Sequence, residues 1–204
     1  MSNKRLIGIF ILFLFFLIWS GIRPADRFTW WLEVLPALIG VAALIFTYRK
    51  FKFTSLAYIL IFIHCVILIV GGHYTYAEMP LFNMLKDMLD LDRNYYDRLG
   101  HLAQGFIPSI IVREILWKTS PLRENKWLPF IVVCICLAFS ATYELIEFTV
   151  AVMTGEAAEA FLGTQGDVWD TQWDMLLALI GAITAYFTLH SIHNEQLKSQ
   201  APSI

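Results

Sequence analysis

Ionisable side chains interrupt several apolar segments of this sequence, and their spacing places them on shared helical faces. Asp97, His101 and Gln104 stand at positions i, i+4 and i+7 of one segment, with Arg98 beside the first of them. Because residues three and four apart share one face of an α-helix, these side chains would lie together. A carboxylate and an imidazole on one face could bind a divalent cation or transfer protons.

Two further segments repeat this pattern with carboxylates. Glu144 and Glu147 share a helical face with Ser140, again at positions i, i+4 and i+7. Asp170 and Asp174 share a face if their segment is helical. Ionisable groups are costly in apolar segments, so they usually face the interior of a helix bundle. The pattern predicts one polar site to which several helices contribute.

The composition of the 204-residue chain indicates which class of protein carries these residues. Apolar residues make up 58% of the chain and charged residues 16%, whereas soluble domains average roughly 25% charged residues. The net charge of -2 provides no basic surface for a nucleic-acid backbone, and three cysteines cannot form a secreted disulfide framework. These values exclude a soluble globular domain, a disordered chain and a nucleic-acid-binding protein. They indicate a polytopic protein of the lipid bilayer.

Six segments are long and apolar enough for membrane-spanning helices, each of which needs about 20 mostly apolar residues. They cover residues 6–22, 28–48, 53–72, 96–117, 128–153 and 174–189. No small-residue cleavage motif follows the first segment, so we interpret it as a retained span, with a cleaved signal peptide as the alternative. The sequence therefore predicts one all-α membrane domain over residues 1–204, a bundle of six transmembrane helices.

The distribution of lysine and arginine predicts the orientation of this bundle. With a cytoplasmic N-terminus, nine of the 15 basic residues fall on the inner side, four on the outer side and two within a span. This excess satisfies the positive-inside rule, so both termini are predicted to be cytoplasmic. Asp97, His101, Glu144, Glu147 and Asp174 then lie toward the outer ends of their helices, and we call these five residues the outer cluster.

Two long outer loops join the predicted spans. Residues 80–91 of the first loop carry apolar residues at a spacing of about 3.6, which predicts a short amphipathic helix. This helix either lies on the outer membrane interface or packs as a cap over the bundle. The second loop, residues 154–173, contains carboxylates and tryptophans but no lysine or arginine.

Several kinds of chemistry are compatible with the outer cluster. The first is a metal site, in which His101, Glu144, Glu147 and Asp174 bind a divalent ion that activates water against an ester or a phosphate. The second is metal-free catalysis, with Glu144 or Asp174 as the base and His101 as the acid. A proton or cation path and a buried ion-pair network are the remaining alternatives. Asp97 completes the predicted catalytic set.

The function that we expect is that of an enzyme or a binding protein for a lipid or cell-envelope precursor. The residues predicted to bind this ligand are His73, Arg98, Gln104, Gln165, Asp167, Trp169 and Asp170. An ion- or proton-coupled transporter and a structural or regulatory membrane protein are the alternatives. A transporter needs polar groups through the full membrane thickness, whereas the fourth span offers only Ser109 between Gln104 and Arg113. The sequence leaves the oligomeric state open.

Residues near the inner ends of the spans are assigned structural roles. Arg113 and Glu114 are predicted to form a structural pair, with a lipid headgroup bound to Arg113 as the alternative. His190 and His193 are expected to be solvated, because they lie where the last span leaves the membrane. One further histidine lies within a span and not at its inner end. This residue, His64 of the third span, is expected to be a core residue with its hydrogen bonds satisfied.

Several motifs together resemble a known family. They are Gly-Gly-His-Tyr-Thr-Tyr-Ala (71–77), Asn-Tyr-Tyr-Asp-Arg-Leu-Gly-His (94–101), Gln-Gly-Phe (104–106), Ser-Ala-Thr-Tyr-Glu-Leu-Ile-Glu (140–147) and Phe-Leu-Gly-Thr-Gln-Gly-Asp-Val-Trp-Asp-Thr-Gln-Trp-Asp-Met (161–175). In these motifs the chain resembles the YjdF-type bacterial inner-membrane proteins, a family whose domain has no assigned function. The resemblance covers essentially the whole chain. It implies a location in the bacterial inner membrane and implies no activity.

A second and more distant likeness concerns the spacing of polar residues within the spans. The positions are Asp97 with His101, Ser140 with Glu144, and Asp174 with Gly181. This pattern is similar to that of VanZ-like membrane proteins. The likeness implies a shared outer-facing core and a role in the cell envelope.

Overall fold

In the computed structural model the chain folds into a bundle of α-helices. The structure describes residues 1–123, 125–155 and 159–200, and in these residues it contains no β-strand. The helices are α1 (Asn3–Gly21), α2 (Arg27–Thr47), α3 (Ser55–Tyr74), α4 (Pro80–Leu89), α5 (Tyr96–Thr119), α6 (Trp127–Thr154), α7 (Glu159–Leu162) and α8 (Asp170–Gln200), with a short 3₁₀ helix at Tyr76–Glu78. Residues 156–158 of the second predicted outer loop lie outside the described residues.

The six long helices correspond to the six predicted spans. Five of them, α1, α2, α3, α6 and α8, have both the length and the apolar composition of a membrane span. Helix α5 is long enough, but its charged residues make its composition less apolar than that of the other five. It lies parallel to α8 and packs along it. Gly105 meets Ala178 midway, and Arg113 meets His193 near the inner end. Since α8 is long and apolar enough to cross the membrane, α5 crosses the same thickness, and the predicted all-α bundle is confirmed.

Both termini of the described chain lie at the same end of the bundle. Tyr48 Oη donates a hydrogen bond to Asn3 Oδ1 (2.8 Å), which places the start of α1 beside the end of α2. Lys118 Nζ donates to the Lys52 carbonyl oxygen (2.7 Å) and to Gln200 Oε1 (2.8 Å). This end carries most of the lysines and arginines, so it is the cytoplasmic end by the positive-inside rule.

Two of the spanning helices have a capping side chain at their first turn. Asp26 Oδ1 accepts a hydrogen bond from the Thr29 N–H (2.6 Å) at the start of α2. This backbone hydrogen bond lowers the pKa of Asp26, which lies outside the spanning segment, below its ordinary value. Thr54 Oγ1 accepts from the Ala57 N–H (3.3 Å) at the start of α3. These caps explain why the chain becomes helical soon after each turn.

The last helix is longer than the predicted span 174–189. It begins at Asp170 and continues to Gln200, because the polar residues of its inner part find partners on neighbouring helices. Gln196 Oε1 accepts from the Leu56 N–H (3.0 Å). His193 is fully buried, so the expectation that it is solvated is wrong. A span predicted from hydropathy ends where the sequence becomes polar. The helix itself can continue further when its polar side chains have hydrogen-bond partners in the folded protein.

The amphipathic segment of the first outer loop forms α4. Its first residue is Pro80, a position that tolerates the missing N–H, and it ends at Asp90 in the left-handed conformation. None of its residues is buried, and Met84 and Met88 are 51% and 71% exposed. An apolar face that the described bundle leaves uncovered fits a helix at the membrane interface better than a cap.

An apolar layer fills the bundle between its two polar ends. Its buried residues come from the segment just before α3, the inner half of α3, and the middle of α5 and α8, and they are Phe53, Ala57, Leu60, Ala103, Ile107, Ile110 and Ala185. Along α5 this layer lies between His101, toward the outer end, and Glu114, toward the inner end. It therefore separates the polar residues of the two ends.

Candidate functional site

Arg98 connects the start of α8 to the outer end of α5. Its guanidinium donates hydrogen bonds to Asp167 Oδ2 (3.0 Å), to Asp170 Oδ1 (2.7 Å) and to Asp174 Oδ1. Arg98, Asp170 and Asp174 are buried. Because the planar guanidinium can serve several carboxylate oxygens at once, one side chain balances part of the charge of three acids.

Arg93 is a second arginine that pairs with these acids, and it was not predicted from the sequence. It donates to Asp170 Oδ1 (2.8 Å) and to the Gly163 carbonyl oxygen (3.2 Å), and its Nη2 lies 3.6 Å from Asp97 Oδ2. Its position four residues before Asp97 was the available sequence signal. With Arg98, it neutralises Asp167 and Asp170 of the second outer loop. The predicted binding residues Arg98, Asp167 and Asp170 thus lie together in an ion-pair network.

Three other predicted binding residues lie elsewhere or are engaged by the backbone. Gln165 accepts from the Asn94 N–H (2.8 Å) and donates to the Asn94 carbonyl oxygen (2.9 Å), so its amide anchors the loop to the start of α5. Trp169 is 62% exposed. His73 Nδ1 lies 2.9 Å from the Ser20 carbonyl oxygen at the end of α1. The structure does not bring Trp169 or His73 to the outer cluster.

His101 stands at the centre of the outer cluster. Its Nε2 lies 3.4 Å from Asp97 Oδ1 and 3.8 Å from Asp174 Oδ1. Its Nδ1 lies 2.9 Å from Gln104 Oε1 and 3.7 Å from Glu144 Oε1. Since an amide oxygen accepts, this hydrogen bond assigns the proton to Nδ1. Nε2 faces the two aspartates. It donates toward them in the imidazolium form and offers a lone pair in the neutral form.

A cavity of about 80 Å³ lies beside His101 within the bundle. The polar side chains that line it are Glu33, His64, Tyr76, Asp97, His101, Gln104, Tyr143 and Glu147. About 10–15 Å³ of such space is enough for one water, so this cavity holds a few waters or one small functional group. It is too small for a complete lipid headgroup.

Glu33 and Tyr143 belong to this cavity and were missed from the sequence. Glu33, on α2, is 4% exposed, and Tyr143 Oη on α6 donates a long hydrogen bond to its Oε2 (3.5 Å). A glutamate inside an apolar span was the available signal. His64 also lines the cavity, and its buried Nδ1 has no hydrogen-bond partner among the described residues. No described protein group therefore supplies the hydrogen bond that was expected for this nitrogen.

Carboxylates outnumber cations around the cavity. In the described part of the chain, no lysine or arginine forms a salt bridge with Glu33, Glu144 or Glu147, all of which are buried. Glu144 Oε1 and the nearby Ser140 Oγ are buried without a hydrogen-bond partner there. Unpaired buried charge is costly, so this group of acids requires bound protons or a bound cation.

Three residues of the outer cluster have ligand atoms close enough to surround one ion. Asp97, His101 and Asp174 each offer an atom within 4.8 Å of the others. This spacing fits a metal ion with ligand distances of about 2.0–2.2 Å after a small contraction, and it leaves positions open for water. The sequence predicted His101 and Asp174 as ligands. The geometry adds Asp97, whereas Glu144 lies beside the opposite ring nitrogen.

Comparison with known proteins identifies the family of the chain. The family model described as "Predicted membrane protein (DUF2238)" matches residues 5–195. The chain belongs to this family. It is also 48% identical over 182 residues to the inner membrane protein YjdF of Escherichia coli (strain K12), which is 89% of this chain and 87% of that protein. No solved structure matches the chain.

These similarities confirm two conclusions drawn from the sequence. The resemblance to YjdF-type proteins is confirmed, and so is the location in the bacterial inner membrane. The VanZ-like likeness rests on the spacing of the polar residues alone. Members of the matching family are described as membrane proteins without a named reaction.

Proposed function

We propose that this protein is an enzyme or a binding protein that acts on a polar group of a lipid or cell-envelope precursor at the outer membrane face. The observation that carries the proposal is the position of His101, between Asp97 and Asp174 on one side and Glu144 on the other, beside a small buried cavity. A titratable ring held by carboxylates next to a cavity is an arrangement suited to proton transfer.

A divalent metal ion held by Asp97, His101 and Asp174 is part of this proposal. Such an ion would polarise an ester or phosphate oxygen or lower the pKa of a bound water. Arg98 hydrogen-bonds to Asp174 and so orients that carboxylate. Gln104 does the same for the ring of His101. In the metal-free form of the proposal, Glu144, 3.7 Å from Nδ1 of His101, would act as the base and His101 as the acid.

The size of the cavity limits what enters it. At about 80 Å³ it admits the reacting group of a substrate, while the rest of that substrate would stay in the outer leaflet. The apolar layer beneath the cluster argues against access to the site from the inner side. Both features support a reaction or a binding event at the outer face over passage through the protein.

Transport of protons or a cation is the second candidate. The excess of buried carboxylates at Glu33, Glu144 and Glu147 favours it. The apolar layer opposes it, because that layer separates these acids from the inner polar residues. Uptake in proteoliposomes that depends on a pH gradient and is lost in Glu147→Gln would reverse the order of the two candidates.

Metal content tests the metal part of the proposal. We expect detergent-purified wild-type protein to contain about one divalent ion per chain, as a site with three protein ligands implies. Asp97→Asn should lose this ion, because the amide is a weaker ligand in the same shape. Asp92→Asn is the matched control, since Asp92 is exposed near the same end of the bundle.

We would measure the metal content of the wild type and the two variants by inductively coupled plasma mass spectrometry. Size-exclusion profiles would check that each protein is folded. Metal retained in Asp97→Asn, or absent from the wild type, would remove the ion from the proposal and leave metal-free catalysis by His101.

Precursor profiles test the substrate class. In a strain that lacks the gene, we expect one lipid or envelope precursor to accumulate and wild-type protein to restore its level. His101→Asn should fail to restore it, because asparagine keeps a polar side chain but cannot exchange protons near neutral pH. Asp92→Asn should restore it fully. Mass spectrometry of lipid and envelope extracts makes the measurement, and full restoration by His101→Asn would contradict an acid/base role.

A further inference from the structure

A cavity of about 540 Å³ lies at the cytoplasmic end of the bundle, between α5, α6 and α8. We call it the inner pocket. The basic side chains that line it are Arg113, Arg123, Lys126 and Lys198, with His190 beside them. None of the described residues that line it carries a carboxylate. The inner pocket is thus a concentration of positive charge, far from the outer cluster along the helices.

Arg113 is the buried member of this group. It is 5% exposed, and its guanidinium donates to His193 Nδ1 (2.7 Å) and to Asn194 Oδ1. Among the described residues it forms no salt bridge with a carboxylate. A buried guanidinium with neutral partners carries an unbalanced charge, which is costly unless an anion is near.

The neighbouring Glu114 does not balance Arg113, because other groups satisfy it. Glu114 accepts from Lys118 Nζ (2.6 Å) and from the N–H and Oγ1 of Thr54 (2.7 Å each). His193 Nε2 lies 3.1 Å from Glu114 Oε2. Since Arg113 donates to Nδ1 of this ring, the proton is on Nε2 and His193 is neutral. Lys118 and Glu114 therefore form a charge pair, and the positive charge of Arg113 is left without a carboxylate to balance it.

The exposed rim of the inner pocket adds further charge and fixes part of its shape. The guanidinium of Arg123 lies 3.9 Å from the ring centre of Trp117, a cation–π contact that holds Arg123 over the mouth of the pocket. Lys126 and Lys198 approach from the start of α6 and the end of α8. Two arginines and two lysines around a space of this size match a phosphate group and the atoms attached to it.

We propose that the inner pocket binds a phosphate-bearing anion at the cytoplasmic face of the membrane. Basic pockets between transmembrane helices on this side commonly receive lipid headgroups, and the inner pocket has the position and volume for one. The same chemistry would accept a soluble phosphate compound. The site is independent of the function proposed for the outer cluster.

A pair of matched double variants tests this site. Arg123→Gln with Lys126→Gln removes two charges from the inner pocket. Arg49→Gln with Lys4→Gln removes the same two residue types from exposed positions at the same end of the bundle, outside the inner pocket. Both proteins keep Arg113 and Glu114, so the buried network is intact. Any difference between them reports on the basic cavities that Arg123 and Lys126 line at this end, and not on the general surface charge.

The probes are phosphatidylglycerol in phosphatidylcholine nanodiscs, phosphatidylcholine nanodiscs alone, and inorganic phosphate added to the detergent-solubilised protein. Native mass spectrometry counts bound lipid, and thermal unfolding follows stabilisation. We expect phosphatidylglycerol to be retained and the pocket variant to bind it about thirtyfold more weakly, as two removed contacts of roughly 1 kcal/mol each imply. The control variant should bind it as the wild type does.

The outcomes distinguish the two sources of phosphate. Retained phosphatidylglycerol without an effect of inorganic phosphate identifies a lipid headgroup. Stabilisation by inorganic phosphate that the pocket variant loses identifies a soluble phosphate compound. Equal weakening in the two double variants, or no binding of either probe by the wild type, would overturn the proposal.

Discussion

Replacing Arg98 with methionine should lower the free energy of unfolding by about 3–5 kcal/mol, the cost of removing one partner from a buried ion pair. Methionine preserves much of the length of the side chain, so the lost charge dominates the effect. Asp170 would keep Arg93 as a partner, but Asp174 would be left buried beside a neutral side chain. The largest loss of order is therefore expected where α8 begins.

Thermal and denaturant unfolding in one detergent measures this effect. Arg27→Met is the matched control, because Arg27 is exposed near the same membrane face and forms no salt bridge among the described residues. Its unfolding free energy should change by less than about 0.5 kcal/mol, as for a typical surface substitution. Arg98→Lys should fall between the two, since it keeps the charge and loses the planar fork. Equal stability of Arg98→Met and Arg27→Met would show that the network contributes nothing.

Replacing Gly105 with alanine should also destabilise the protein, by about 3 kcal/mol or more, because the added methyl group cannot be accommodated. A Cβ at Gly105 would overlap the Ala178 carbonyl oxygen, and a Cβ at Gly181 would overlap the Leu102 carbonyl oxygen. The two helices approach so closely that backbone meets backbone, and a backbone atom cannot rotate away. Small residues at such crossings are typical of membrane helices.

Gly40→Ala supplies the control for this substitution. Nothing lies within 4 Å of the position that its Cβ would take, so alanine should be neutral or stabilise α2 by about 0.5–1 kcal/mol through its helix propensity. The two glycine variants thus have effects of opposite sign for the same chemical change. Unfolding of both in the same detergent makes the measurement. A Gly105→Ala protein as stable as Gly40→Ala would contradict the close approach of α5 and α8.

The pairing of α5 with α8 positions both polar regions of the molecule. At the outer end it brings Asp174 to Arg98 and His101, and at the inner end it brings His193 to Arg113. A variant that separates the two helices should therefore lower stability and weaken the metal binding that we propose for the outer cluster. The same crossing explains why α5 can carry so many charged residues within the membrane.

The amino-acid sequence by itself determined the class of protein, the number of spans and their orientation. Membrane insertion depends on the summed hydropathy of about 20 consecutive residues, and orientation depends on nearby basic residues. Both are local properties that can be read along the chain. The shared face of Asp97 and His101 follows in the same way, because the helical period sets it. The end of a helix such as α8 is harder to predict from the sequence, because it depends on the hydrogen-bond partners of its polar residues.

Only the tertiary structure decided which polar residues meet one another. Arg93 and Glu33 lie near the outer cluster, whereas Trp169 and His73 do not. These positions depend on which helices are neighbours and on how each helix is rotated about its axis. His193 is buried for the same reason, since Glu114 and Arg113 approach it from α5. The helical period of one segment carries no information about the face that the next segment presents to it. The local pattern therefore predicts that a polar site exists, whereas packing between distant segments decides its members.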